Sequence, residues 1–240
     1  MVTEIGSASE TAPVTAKATL SPKRMSAFTE VSKQALIQSA IPLEAMIRDD
    51  LLTGAAGKLE GQIINGSGLS GEITGLLSVS GVGTVAGGTH GAAPAWSHFV
   101  DLETNVANSN AEPDQRSGYL TNTKVRGKLR KTQVFSGTNG QPVWTSGRER
   151  GIGELLGYDA FVTNAVPSDL TKGSASGVCS AGIFGNWADL IMGMWGGLDV
   201  MLDPYTGSAA GTKRVVALQD LDIALRRVAS FAAVKDITTT

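Results

Sequence analysis

From Leu43 onward, apolar positions recur every four residues: Leu43, Ile47, Leu51, Ala55, Leu59 and Ile63, with Met46 and Leu52 beside them. That spacing lays a single apolar stripe along a helix. Pro42 suits a first helical position, where its missing N–H would have had no partner. The pattern predicts one long amphipathic helix over Leu43–Ile64, about 33 Å long at the standard rise per residue. Gly54, Gly57 and Gly61 fall inside it, each costing about 1 kcal/mol relative to alanine. Two explanations fit such a cost: a sheet or loop packs closely against the bare backbone, or the helix carries a bend that varies between copies of the chain.

Ahead of this helix, residues 1–30 are expected to be extended. A loop falls at Glu10-Thr11-Ala12-Pro13, and β-leaning residues occupy Val14–Leu20 and Met25–Val31, so no core helix is predicted before Ser32. A Gly/Ser/Thr-rich connection over 65–95 leads to a second helix, with Trp96, Phe99, Val100 and Val106 on one face and Asp101, Glu103 and Asn105 on the other. Tyr119–Thr121 predicts a short strand, and Asn122 an N-cap for a helix from about Thr123 to Lys131. Asn139-Gly140 marks a tight turn. Tyr158–Thr163 alternates as a strand does, Pro167–Gly177 is expected as a loop, and Leu190–Leu202 as two short strands broken at Gly196-Gly197. Val215–Leu225 predicts a long strand presenting Val215, Ala217, Leu221, Ile223 and Leu225 on one face. The expected fold class is α+β, without an internal repeat.

Composition narrows the function. With 240 residues the chain can bury a large core unaided. Twenty Lys plus Arg balance 22 Asp plus Glu, so nothing draws the whole chain toward nucleic acid or an anionic membrane. Thirty glycines and only 18% charged residues imply many turns and broad, weakly charged surfaces of the kind neighbouring subunits cover. No signal peptide is expected at the start, and the most apolar stretch, Leu190–Leu202, is too short and too interrupted to span a bilayer, so a soluble chain is expected. The lone Cys179 has no disulfide partner, which suits a reducing compartment.

Candidate chemistry is sparse. Gly81-Val82-Gly83-Thr84-Val85-Ala86 loosely matches a dinucleotide-binding loop, but Gly87-Gly88-Thr89 follows where a helix would have to start. His90 and His98 lack a converging set of ligands, and no Gly-x-Ser-x-Gly sequence exists. Cys179 is expected to be a small apolar residue in a loop, and the pairs Asp49-Asp50 and Asp220 with Asp222 to be solvated or salt-bridged. No catalytic, cofactor-binding or metal residue is assigned, and no enzyme activity is expected. One charge feature is concentrated: Lys124, Arg126, Lys128, Arg130 and Lys131, of which Lys124, Lys128 and Lys131 share a helix face. Such a ridge suits an acidic edge of an adjoining subunit, or solvent, better than phosphate.

An ordered series of segments carries more information than any single motif. Leu20-Ser21-Pro22-Lys23-Arg24-Met25 runs into Val31-Ser32-Lys33-Gln34-Ala35-Leu36; the long helix ends at Asn65-Gly66-Ser67-Gly68, followed by Thr74-Gly75-Leu76-Leu77. Then come Tyr119-Leu120-Thr121-Asn122 with Leu129-Arg130-Lys131, Gly140-Gln141-Pro142-Val143-Trp144, and Leu155-Leu156-Gly157-Tyr158 leading to Val162-Thr163-Asn164. Ile183-Phe184-Gly185-Asn186-Trp187, Gly196-Gly197-Leu198 and Arg226-Arg227 with Ser230-Phe231-Ala232 complete the series.

In this order the segments resemble the tailed-bacteriophage major capsid family, whose Hong Kong 97-type shell fold is shared with encapsulins. The resemblance implies a peripheral domain of residues 1–93 with the spine helix, completed by 204–228, and an axial domain of 94–203, completed by 229–240. It implies a subunit of an icosahedral head that forms pentamers and hexamers with itself, acts in the virion capsid and assembles in the host bacterial cytoplasm. Scaffold, portal and head maturation protease are the further partners it implies; packaged DNA is touched only weakly, and no membrane or cofactor is involved. Relative to the family, the chain is expected to lack the N-terminal arm and most of the extended hairpin loop. An encapsulin-like compartment shell, or a β-rich enzyme or binding protein, is the alternative.

Overall fold

The computed structural model describes residues 17–39, 43–111, 113–135, 137, 140–147 and 152–239. Expectations for residues 1–16, including the loop at Glu10-Thr11-Ala12-Pro13, and for Pro42 and Asn139 lie outside the described residues. The chain opens with β1 (Lys23–Ser32), whose last residue, Ser32, caps the short α1 (Lys33–Gln38) by accepting from the Gln34 N–H. The spine helix follows as α2 (Leu43–Asn65), close to the predicted bounds. Then come β2 (Gly83–Val85), α3 (Trp96–Asn108), β3 (Ser117–Thr121), α4 (Thr123–Leu129), β4 (Thr145–Ser146), β5 (Gly153–Leu155) and β6 (Tyr158–Val162). The remaining strands are β7 (Leu170–Lys172), β8 (Ala175–Asn186), β9 (Leu190–Asp203), β10 (Thr212–Leu225) and β11 (Phe231–Thr238), the last four joined by single 3-10 turns.

Two sheets divide these strands. A three-stranded antiparallel sheet runs β1-β10-β9, with Lys23 opposite Leu221 and Ser32 opposite Thr212. An eight-stranded sheet runs β2-β11-β8-β3-β6-β5-β4, with β7 beside β8. Strand β9 therefore belongs wholly with β10, and β2 with β11.

Helix α2 joins the two sheets through adjacent residues near its C-terminal end. Leu59 and Ile63 pack with Ile73, Leu221 and Ile223 under the small sheet. Ile64, one residue on and so about 100° round the helix, enters a second cluster with Leu76, Leu77, Val166, Ile183 and Phe231 on one face of the large sheet. The turn beyond depends on a close backbone approach: the Gly75 N–H donates to the Gly66 carbonyl at 2.9 Å, and a Cβ on Gly75 would lie 2.2 Å from the Gly66 nitrogen. Gly75→Ala is expected to cost about 2–3 kcal/mol, read from the urea midpoint, because backbone rather than a movable side chain must give way.

The glycines of α2 correct one expectation. Among the described residues, a Cβ at Gly54, Gly57 or Gly61 would meet nothing within 4 Å, so no described sheet or loop packs against them. Nothing among the described residues compensates their helix-propensity cost. Replacing all three by alanine is expected to stabilise the isolated chain by about 2 kcal/mol in thermal or chemical denaturation.

The main core lies on the opposite face of the large sheet, under α3 and α4. Phe99, Leu102 and Val106 of α3 and Val125 and Leu129 of α4 pack against Tyr119, Phe184, Ala232 and Val234. Leu102 is fully buried, whereas Trp96, expected on the buried face, lies a third exposed beside Phe135. The α3 stripe is thus rotated relative to the expectation. Asn122 caps α4 as predicted, accepting from the Val125 N–H at 2.9 Å, and its amide ties the helix start to the Pro167 carbonyl. At the far end of α3, the Arg227 guanidinium donates to the Ser109 and Asn110 carbonyls, placing a positive charge where the helix dipole favours one.

Two stretches differ from their predicted form. Leu190–Asp203 is one strand, not two: a bulge centred on Gly196 (φ +81°) absorbs the glycines opposite Gln219, whose amide donates to the Gly196 carbonyl. Pro167–Gly177 is not wholly loop, since β7 and the start of β8 form a hairpin there. Cys179 consequently lies in β8, fully buried, rather than in a loop.

Candidate assembly surfaces

The residues weighed for chemistry are absorbed into the framework. Gly83–Val85 pairs in parallel with β11, and the Gly87 N–H donates to the buried Asp236 carboxylate instead of opening a helix. His98 accepts from the Ala95 N–H at the start of α3, and His90 accepts from the Ser174 N–H. Asp49 and Asp50 lie exposed on α2. Asp220 receives a two-pronged hydrogen bond from Arg24, which holds its carboxyl below the usual aspartate range, while the buried Asp222 accepts from the Ser21 N–H. The phenol of Tyr119 donates to the Phe99 carbonyl at 2.9 Å, and burial drives its ionisation far upward. Tyr158, which donates to Glu103, is also raised, chiefly by burial. Among the described residues, no three His, Cys, Asp or Glu side chains converge on a metal position. None of their helices is long and apolar enough to cross a membrane.

What stands out is bare apolar surface, and its cause is topological. Helix α2 covers β1 and β10 but leaves the edge strand β9 open on both faces. Ile191, Met192, Met194, Trp195, Leu198 and Met201 are each 41–62% exposed. On the sheet face away from α2, Phe28, Val216 and Met201 form one cross-strand row. On one side of it lies the charged row Glu30–Arg214–Asp203, where Arg214 pairs with Glu30 and lies 4.6 Å above the Phe28 ring; on the other lies Ser26–Leu218–Asp199, and beyond that Arg24 pairs with Asp220. Apolar stripes bordered by charge are the ordinary anatomy of a protein–protein interface. Nothing in the predicted strand pattern reveals this exposure, because it depends on where α2 stops.

Two further surfaces lie on the large sheet. The basic residues of α4 and of the turn after it project outward: Lys124, Lys128, Arg130 and Lys131 are exposed and Arg126 half-buried, and none has an ion-pair partner among the described residues. On the opposite face, a groove of 430 Å³ lies between Arg116, Leu120, Asp159, Phe161 and Trp187.

The model of the phage capsid family matches residues 1–236, and the chain belongs to that family. A major capsid protein of Halomonas phage phiHAP-1 is 29% identical over 213 residues, covering 89% of this chain and 32% of that protein, so the chain spans about a third of that relative. Among solved structures, the capsid of the native GTA particle superposes with a TM-score of 0.71 at 22% identity, over 97% of this chain and 81% of that one. The holo-SrpI encapsulin complex of Synechococcus elongatus PCC 7942 gives 0.61 at 14% identity, over 91% and 75%. The α+β architecture is the phage major capsid fold.

Proposed function

We propose that the chain is the shell-forming part of a phage head, associating with copies of itself into pentamers and hexamers that close an icosahedral capsid. The observation that carries this reading is the β9 edge, apolar on both faces and uncovered by its own helix. Hexamers and pentamers use heterologous contacts, in which two different surfaces of each subunit meet around an axis. Individual contacts of modest strength let misplaced subunits leave, and their number makes the finished shell durable.

In this reading α2 with the β1-β10-β9 sheet is the peripheral part and the large sheet with α3 and α4 is the axial part. Residues 190–203 then belong to the periphery, and β2 to the axial part. No catalytic step is involved. The near balance of charge suits a container, since a strongly basic lining would hold incoming DNA through counterion release. The reading includes assembly in the host cytoplasm, with scaffold, portal and maturation protease as further partners; membership of the phage capsid family supports it. An encapsulin-like compartment shares the fold, but the family match favours the phage reading.

The test is electron microscopy and sedimentation of the full-length gene product across salt concentrations. Closed icosahedral particles or discrete pentamers and hexamers support the reading; a monomer at every condition overturns it.

A further inference from the structure

Helix α4 and the Phe161 groove lie on opposite faces of one sheet. Val125 and Leu129 of α4 pack with Ala160 in the main core. Residues alternate across a strand, so Asp159 and Phe161, on either side of Ala160, face away from α4. Phe161 is 41% exposed there, although an aromatic ring gains by burial.

The charges beside it are unpartnered in a telling way. The β5–β6 hairpin turns through Leu156 (φ +53°) and Gly157 (φ +83°), a two-residue turn with both central residues in the left-handed region. This register sets Glu154 directly opposite Asp159. Both are exposed, and neither has an ion-pair partner among the described residues. Like charges directly opposite one another destabilise a strand pair. A hairpin held in that register gains if a cation from outside lies over it. Arg116 lines the same groove, but among the described residues two carboxylates outnumber one guanidinium.

Resting on the shell-subunit reading, we infer that the Phe161 groove receives the α4 ridge of a neighbouring copy, with Lys124, Lys128 and Lys131 set against Glu154 and Asp159. The two surfaces are complementary in charge and lie on opposite sides of the same sheet. A contact between opposite sides propagates head to tail, which is the geometry a closed ring requires. The lysine stems would cover Phe161 while their ammonium groups meet the carboxylates.

Engineered cysteines test this directly, since native Cys179 is fully buried and does not compete. The full chain carrying both Lys128→Cys and Glu154→Cys, oxidised after assembly, is expected to give a disulfide ladder on a non-reducing gel. Either cysteine alone should stop at the dimer, because a ladder needs two different surfaces on each copy. Separately, Lys128→Glu with Lys131→Glu, and Glu154→Lys with Asp159→Lys, should each lower assembly about tenfold, and the combined four-residue variant should restore it. All of these positions are exposed, and unchanged melting temperatures would show that the subunits still fold. Wild-type assembly with no ladder in the double-cysteine variant, or with charge reversals that have no effect, overturns this contact and leaves the shell reading standing. A wild-type chain that never assembles overturns both.

Discussion

Truncating Tyr119 to alanine is expected to lower the unfolding free energy of the chain by about 4 kcal/mol, one of the larger single-residue effects available to it. The ring is fully buried between the two helices and the large sheet, with ring centroids 4.5 Å from Phe184 and 5.7 Å from Phe99. Its removal leaves a cavity bordered by α3, β6 and β8, none of which can collapse without losing other contacts. Tyr119→Phe separates packing from hydrogen bonding: it keeps the ring and strands only the Phe99 carbonyl, for a loss of about 1 kcal/mol. Urea denaturation of the isolated chain measures both. Equal losses for the two variants would show that the hydroxyl, not the ring, holds this core.

The second large effect falls on association and spares the fold. Met194 and Met201, 62% and 49% exposed on β9, contribute little to the folded subunit. The variant combining Met194→Glu with Met201→Glu is expected to unfold within about 0.5 kcal/mol of the parent. If the exposed parts of the two side chains are buried between copies, their loss costs about 2–3 kcal/mol per subunit. That penalty recurs at every copy, so particles and ring oligomers should disappear in sedimentation velocity. Unchanged assembly of a stable variant would remove β9 from the interface.

The glycine variants of α2 complement this experiment. Gly54, Gly57 and Gly61 cost stability in the subunit without any neighbour among the described residues to explain them. If the triple alanine variant is more stable yet assembles as well as the parent, an explanation that places their use between copies fails.

Much of the architecture was legible along the chain. The four-residue period marked α2, the Asn122 cap marked the start of α4, and the alternation at Val215–Leu225 marked a strand with one buried face. The family series pointed to the fold as a whole. Three local expectations failed for one reason. The α3 stripe included Leu102 in place of Trp96, β9 ran through Gly196-Gly197, and a hairpin occupied part of the presumed loop at 167–177. In each case the outcome depended on a partner strand or helix far away in sequence: β10 continues the ladder past the β9 bulge, and β8 turns Leu170–Lys172 into a strand.

The sequence by itself determined the elements whose signal is local, because backbone periodicity, capping and turn preference act within a few residues. It also determined that the chain carries few charges. Only the tertiary structure decided which surfaces stay bare. Exposure is a property of neighbours: β9 remains apolar and open because α2 lies over β1 and β10, and Glu154 faces Asp159 because a two-residue turn sets that register.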